Sequence, residues 1–262
     1  MSTSFLRFMR PLGAIVLGAV FLTACGGSDD DFDDRADIAD PKVRFVHAIP
    51  AGPSVSLYRN DAKQADATGV NYLFASRYFD VAGGTATWAL KTETNPTVDL
   101  GSVSFDAKRG DKNTIVALPG SAAADLLRIE DPYNKGLVSD KARLRVVNAA
   151  FNASTIDVYL TTPTTDIATV SPTFGQVAYK TSNPGSGADS VERDGGTYLL
   201  RITPVGTKTV IFSKSVTVNN NADWLLVVIP DEGIGAVTPN DVRVLLVRAD
   251  DEAEAATELL TD

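Results

Sequence analysis

From residue 42 onward the chain alternates between apolar and polar positions. In "TATWAL" the residues Ala86, Trp88 and Leu90 fall on one side of an extended backbone, and in "TYLLRI" so do Tyr198, Leu200 and Ile202. The stretches "VSLY" (55–58), "VSF" (103–105), "IDVY" (156–159) and "VTV" (216–218) keep the period of two with β-branched or aromatic residues, which suit a pleated, half-buried surface. "DWLLVVIP" (223–230) is apolar on both sides, as a central strand covered on both faces must be. Turn formers stand between the runs: Pro50 to Pro53, Asn60-Asp61, Gly83-Gly84, Arg109-Gly110-Asp111, Gly195-Gly196 and Pro204 to Gly206. Short strands at this spacing, with no long amphipathic helix, predict an all-β chain of sandwich type.

The strand pattern occurs twice. "VRFVHAIPAGPSVSLY" (43–58) aligns without a gap to "LRVVNAAFNASTIDVY" (144–159). "GGTATWAL" (83–90) then matches "GGTYLLRI" (195–202), "SVSF" (102–105) matches "SVTV" (215–218), and "TIVALP" (114–119) matches "LLVVIP" (225–230). Four blocks in the same order at nearly constant separation point to a tandem duplication. The expected organisation is two tandem β-sandwich domains, residues 42–131 and 143–250, joined by a linker at 132–142 and each able to fold and stay soluble alone. Residues 251–262, "DEAEAATELLTD", read as an acidic tail forming a short, frayed helix. The second copy carries an insertion, "SNPGSGADSVERD" (182–194), ahead of its Gly-Gly turn. Insertions on a rigid sandwich are common places for binding function, which makes Asn183, Ser186, Asp189, Glu192, Arg193 and Asp194 a candidate binding loop.

The N-terminus follows a different pattern. Arg7 and Arg10 precede an unbroken small or apolar run from Leu12 to Leu22, long enough for a secretory leader and too short to cross a bilayer. It ends in Leu22-Thr23-Ala24-Cys25, and Cys25 is the chain's one cysteine, so an intrachain disulfide is impossible. This ending resembles a bacterial lipobox, in which the thiol is acylated and the peptide cut just before it. The resemblance implies a signal peptide at 1–24, lipidation of Cys25, and a membrane as partner through the acyl chains. Gly26, in place of an aspartate that would resemble an inner-membrane retention signal, implies the outer membrane of a Gram-negative cell, facing the periplasm or the surface. A Gram-positive host would make it a cell-surface lipoprotein instead. Residues 25–41, with "GGSDDDFDDRADIAD" at 26–40, offer almost nothing to bury and read as a self-repelling, flexible tether. Their aspartates lack the spacing of a calcium loop.

The repeated opening resembles the bacterial family known as domain of unknown function 4397. Val43 to Ala48, Pro50, Pro53 and Val55 to Tyr58 apart from Ser56 follow its pattern. The second copy is looser: Asn148 stands where the first has His47, while Asp157 keeps an acidic residue that Ser56 lacks. The resemblance covers roughly 43–250 and implies immunoglobulin-like or transthyretin-like sandwiches in the cell envelope. It implies no activity.

Composition narrows the partners. Loss of residues 1–24 removes two arginines and no acid, taking the net charge from −9 to −11, and such a chain is repelled by phosphate backbones, so no nucleic acid is expected. With His47 the sole histidine and Cys25 the sole cysteine, neither a multi-histidine metal site nor a structural zinc site can be built, and no cofactor is expected. A Ser-His-Asp triad would need His47, and no nucleophile elbow is present. His47 ends an apolar strand whose sister strand has Asn148, so a hydrogen-bonding role is expected rather than proton transfer. Trp88 and Trp224 fall on core faces, whereas "NYLFASRYFDV" (71–81) has more apolar residues than one face needs, leaving Tyr72 and Tyr78 as candidate exposed aromatics for sugar stacking. Arg44 and Arg145, at the same place in both copies, are either outward-facing charges or part of a shared internal ion pair. The function expected is non-enzymatic: an envelope lipoprotein in structural support or contact with an envelope protein. The alternatives are a carbohydrate-binding module and, behind it, a hydrolase with a buried carboxylate pair.

Overall fold

A computed structural model describes residues 32–36, 38–121, 123–231, 238–249 and 255–262. The expected leader at 1–24, Cys25 and the Asp-rich run to residue 31 lie outside these residues. After one helical turn, α1 (Phe32–Arg35), the first half comprises β1 (Lys42–His47), β2 (Val55–Arg59), β3 (Ala62–Lys63), β4 (Phe79–Asp80), β5 (Gly84–Thr92), β6 (Asp99–Ala107), β7 (Lys112–Pro119) and β8 (Ala124–Asp131). The second half comprises β9 (Ala142–Asn148), β10 (Thr155–Thr161), β11 (Phe174–Ala178), β12 (Thr181–Asn183), β13 (Val191–Arg193), β14 (Gly196–Pro204), β15 (Phe212–Val218), β16 (Asp223–Pro230), β17 (Val242–Arg248) and β18 (Ala256–Leu259).

The pairing is nearly the same in both halves. β1 runs parallel to β7 with Arg44 opposite Thr114, and β7 is antiparallel to β8. Likewise β9 runs parallel to β16 with Arg145 opposite Leu225, and β16 is antiparallel to β17. The second sheet of each half is a meander, β3-β2-β5-β6 and β11-β10-β14-β15. The chain is therefore an all-β fold of sandwich type. One block of the sequence alignment is two residues out of register: Phe105 lies opposite Ala86 and Val216 opposite Tyr198, so Phe105 corresponds to Val216 rather than Val218. A slip of two leaves every side chain on its own face, which is why the pattern did not betray it.

Among the described residues, three apolar layers hold four sheets. Val43, Phe45, Ile115 and Ala117 meet Leu57, Trp88, Leu90 and Phe105 inside the first sandwich. Leu144, Val146, Leu226 and Val228 meet Val158, Leu200, Ile202 and Phe212 inside the second. The third layer joins the halves: Val46, Ala48, Val116, Leu118 and Ile129 pack with Val147, Leu225, Val227, Ile229, Leu245 and Val247. The inner strands are thus covered on both faces, and the inner sheets pack on each other.

Two parts of the chain depart from expectation. The C-terminal tail is a strand, not a helix: β18 adds to the edge of β17, with Val247 opposite Ala256 and Val244 opposite Leu259. Its alternation lets Leu259 pack on the second core and Ala256 on the seam, burial that an isolated helical turn could not offer. The last part of the supposed tether is docked, since Asp34 is buried against Lys42 and Lys112. Within the linker, Tyr133 and Lys135 are buried.

Candidate functional site

The seam between the halves is polar at one end. Counting only the side chains that face it, β1 contributes Arg44 then Val46, β7 Lys112, Thr114, Val116 and Leu118, β9 Arg143, Arg145 and Val147, and β16 Asp223, Leu225, Val227 and Ile229. Each inner strand enters with a charged residue and leaves apolar. Arg44, Lys112, Arg143, Arg145 and Asp223 are all buried. Buried charge is tolerated only when paired and hydrogen-bonded.

Asp131, at the end of β8, supplies the central pairing. Its carboxylate accepts from Arg143 Nη2 at 2.5 Å and Arg145 Nη2 at 3.2 Å, from Ser190 Oγ at 2.6 Å and from the Tyr133 backbone N–H at 2.9 Å. Burial pushes its pKa up, but the two guanidinium charges and these hydrogen bonds outweigh burial and hold the carboxyl below the usual carboxylate value. Tyrosine rings separate the cations. Tyr133 lies 3.6 Å from Lys112 Nζ and 4.6 Å from the Arg143 guanidinium, and Tyr78 lies 4.5 Å from the Arg44 guanidinium and 5.4 Å from Lys112 Nζ. Burial drives the Tyr78 phenol up to about 12, Arg44 opposing it, so it remains a neutral ring at any ordinary pH.

Three surface segments close over this end. From the N-terminal side, Asp34 Oδ2 reaches Lys42 at 2.8 Å and Lys112 at 3.5 Å, and Arg35 donates to the carbonyls of Gly136, Leu137 and Ser139. From the linker, Lys135 donates to Asn221 at 2.9 Å. The third segment is the insertion of the second half. Arg145 donates to the carbonyls of Pro184, Gly185 and Ala188, drawing the loop around its guanidinium. Ser186 accepts from the Glu130 N–H at 2.9 Å, and Asp189 accepts from the Asn134 backbone and side chain at 2.9 and 3.1 Å.

Of the other candidate loop residues, Asn183 donates to the Gly175 carbonyl, Glu192 and Arg193 pair with β9, and Asp194 is exposed, 3.9 Å from Lys141. The insertion is thus a clasp onto the first half, with Asn183 and Asp194 at its margins. Arg44 and Arg145 are internal, and Arg145 shares Asp131 with Arg143. Tyr72 and Tyr78 are not exposed rings: both are half-buried, Tyr72 against the apolar part of the seam and Tyr78 among its cations. Trp88, stacked on Phe105 at 5.7 Å, and Trp224 lie in the sandwich cores.

His47 sits at the far, apolar end of β1. It is fully buried, its Nε2 lies 3.2 Å from the Pro53 carbonyl, and its Nδ1 is 3.3 Å from the Ile49 N–H. With one nitrogen accepting and the other donating, the ring is neutral, and burial accordingly lowers its pKa. On the outer face of the first half, Asn60, Asp61, Thr87, Ala89 and Asp99 line a polar cleft of about 380 Å³. Lys91 pairs with both of its acids, at 3.2 and 3.4 Å. Among the described residues no group of three or more His, Cys, Asp or Glu could hold a metal ion.

Sequence reasoning picked out Arg44, Arg145 and the insertion, without naming Ser190 in it, but missed Lys112, Asp131, Tyr133, Arg143 and Asp223. A signal was present: "KNTIVALP" and "DWLLVVIP" each open an apolar strand with a charge at the corresponding place. No curated protein matches the chain. Residues 41–159, from the approach to β1 through β10, match a protein-family model described as Domain of unknown function (DUF4397).

Proposed function

We propose that this is an exported lipoprotein, anchored through Cys25 to the outer membrane of a Gram-negative cell, whose two tandem repeats form one rigid, non-enzymatic body for structural support or contact with another envelope protein. The observation that carries this reading is the seam. Two sandwiches with matching strand pairing bury a shared apolar layer and a shared ion cluster, which favours rigidity over a hinge or an open cleft. The engagement of both His47 nitrogens supports the absence of acid–base chemistry, because a general base needs a nitrogen free for substrate. A glycan-binding role would draw on exposed rings, and the four rings weighed for it lie in cores or at the seam.

The anchor is tested by growth with a radioactive fatty acid. The wild type is expected to take up label and appear in the outer-membrane fraction, and Cys25→Ala to do neither. Equal labelling of the two would remove the lipoprotein reading. The structural role is tested by complementation of a deletion strain. His47→Asn should restore the wild-type phenotype, whereas loss of function in a folded His47→Asn protein would count for an enzyme.

A further inference from the structure

Turn tips are usually made by Gly, Asn, Asp, Ser or Pro, whose backbone preferences and polarity suit water. The turn at 136–139, closed by the Ser139 N–H on the Gly136 carbonyl at 2.9 Å, carries Leu137 and Val138 at its tip. Leu137 is 56% exposed and Val138 99% exposed. Single exposed apolar residues are ordinary on any protein surface. Two in succession at a turn tip, held by three hydrogen bonds from one arginine, are not.

That arginine is Arg35, and it belongs to the segment leading back to Cys25. Ile38, three residues further along the same segment, is 53% exposed. From Cys25 to the buried Asp34 there are nine residues, which fully extended reach no more than ~30 Å. An acylated Cys25 therefore keeps the charged end of the seam, and the turn stapled to it, within that distance of the bilayer. Val205 and Val210 lie at the opposite end of the stack, past the close of β14, while Gly196 at the start of β14 pairs with Val218, next to the Asn219–Asn221 turn that meets Asp140.

We propose that the turn at 136–139 is a second membrane contact, in which Leu137 and Val138, assisted by Ile38, enter the interfacial layer of the bilayer that holds Cys25. This rests on the reading of Cys25 as a lipid anchor. The acyl chains supply the affinity, and the turn supplies orientation: the seam end faces the lipid and the opposite loops face away. Arg35 makes the turn rigid enough to insert as a unit.

Because Cys25 is the only cysteine, and acylation blocks its thiol, a single introduced cysteine can carry an environment-sensitive nitrobenzoxadiazole label. The full-length lipidated chain with Val138→Cys, and separately with Val210→Cys, is reconstituted into phosphatidylcholine vesicles. These are zwitterionic, so any insertion is apolar rather than electrostatic. Circular dichroism verifies the fold, and mass spectrometry the acylation of Cys25. The label at 138 is expected to brighten, shift to the blue and be quenched by a nitroxide carried on the lipid, whereas the label at 210 behaves as in water. A water-like label at 138 on an acylated, folded chain overturns the membrane contact and leaves the anchor standing. A chain without acyl groups overturns the anchor, and the contact falls with it.

Discussion

At the scale of single residues, the two halves solve the same problems with different side chains. His47 and Asn148 both accept the N–H two residues on and donate to a carbonyl of the following loop, Asn148 to Ala153 at 2.8 Å. Replacement of His47 by asparagine is therefore expected to leave the fold intact at a loss of about 1 kcal/mol, one hydrogen bond, near pH 8. Burial lowers the histidine's pKa, so the fold favours the neutral ring. Its contribution is complete above the ordinary value of 6.5 and declines as pH falls below it. Denaturant titrations from pH 8 to 5 should show the gap between wild type and His47→Asn shrinking toward acid, and a constant gap would refute this.

A similar exchange occurs at Ser56 and Asp157. Asp157 accepts from the N–H groups of Gln176 and Gly206, whereas Ser56 accepts from Gly69 and bonds Glu93, which brings the missing carboxylate from β5's end. Asp131 has no such stand-in. Asp131→Asn would strip Arg145 of its paired carboxylate and leave Arg143 to the half-exposed Asp189 at 3.7 Å, and about 3–5 kcal/mol of stability should go with it by chemical denaturation. In the wild type the carboxyl is held below its ordinary value, so this contribution is present above about pH 4 and is lost as pH falls through the folded value.

At the scale of elements, edges and insertions decide the outcome. β18 covers β17, and Asp262 adds bonds to the Ser215 N–H and to Lys214. Ending the chain at residue 250 should bare the hydrogen-bonding edge of an apolar strand, "VRVLLVR". The expected result is a lower thermal midpoint and concentration-dependent aggregation by light scattering. An unchanged midpoint would mean that the tail is ornamental. β18 could not be read from "DEAEAATELLTD", because four residues of alternation are shorter than the window that separates strand from helix, and Ala, Glu and Leu favour helix. The insertion was legible as an insertion, but that it clasps the first half depends on Arg145, whose partners lie 39 to 43 residues away along the chain.

At the scale of the whole molecule, the seam joins the two sandwiches through a shared apolar layer. A half taken alone would expose Val46, Val116 and Leu118, or Val147, Leu225, Val227 and Leu245, to water, and would part Arg143 and Arg145 from Asp131. Separately expressed halves, divided within residues 134–140, are therefore expected to be insoluble or unfolded, and to gain β-sheet circular dichroism when mixed. Halves that are each soluble and cooperatively folded would contradict this.

What the sequence determined by itself was local: most of the longer strands, their inward faces, the turns and the correspondence of the two halves. Each of these depends on neighbours within a few residues, through the period of two and the backbone needs of Gly, Pro and Asn. The burial of Trp88 and Leu200 at matching places followed from that period. What only the tertiary structure decided was the destination of the second face of β1, β7, β9 and β16. Alternation states that a strand has two faces, and a doubly apolar strand states that both are covered, but neither names the cover. The cover here is the other half of the chain. The same placement turned Arg44, Arg145, Tyr72 and Tyr78 inward, because a charge or ring beside an apolar strand looks alike in sequence whether it meets water or a partner sheet carrying Asp131.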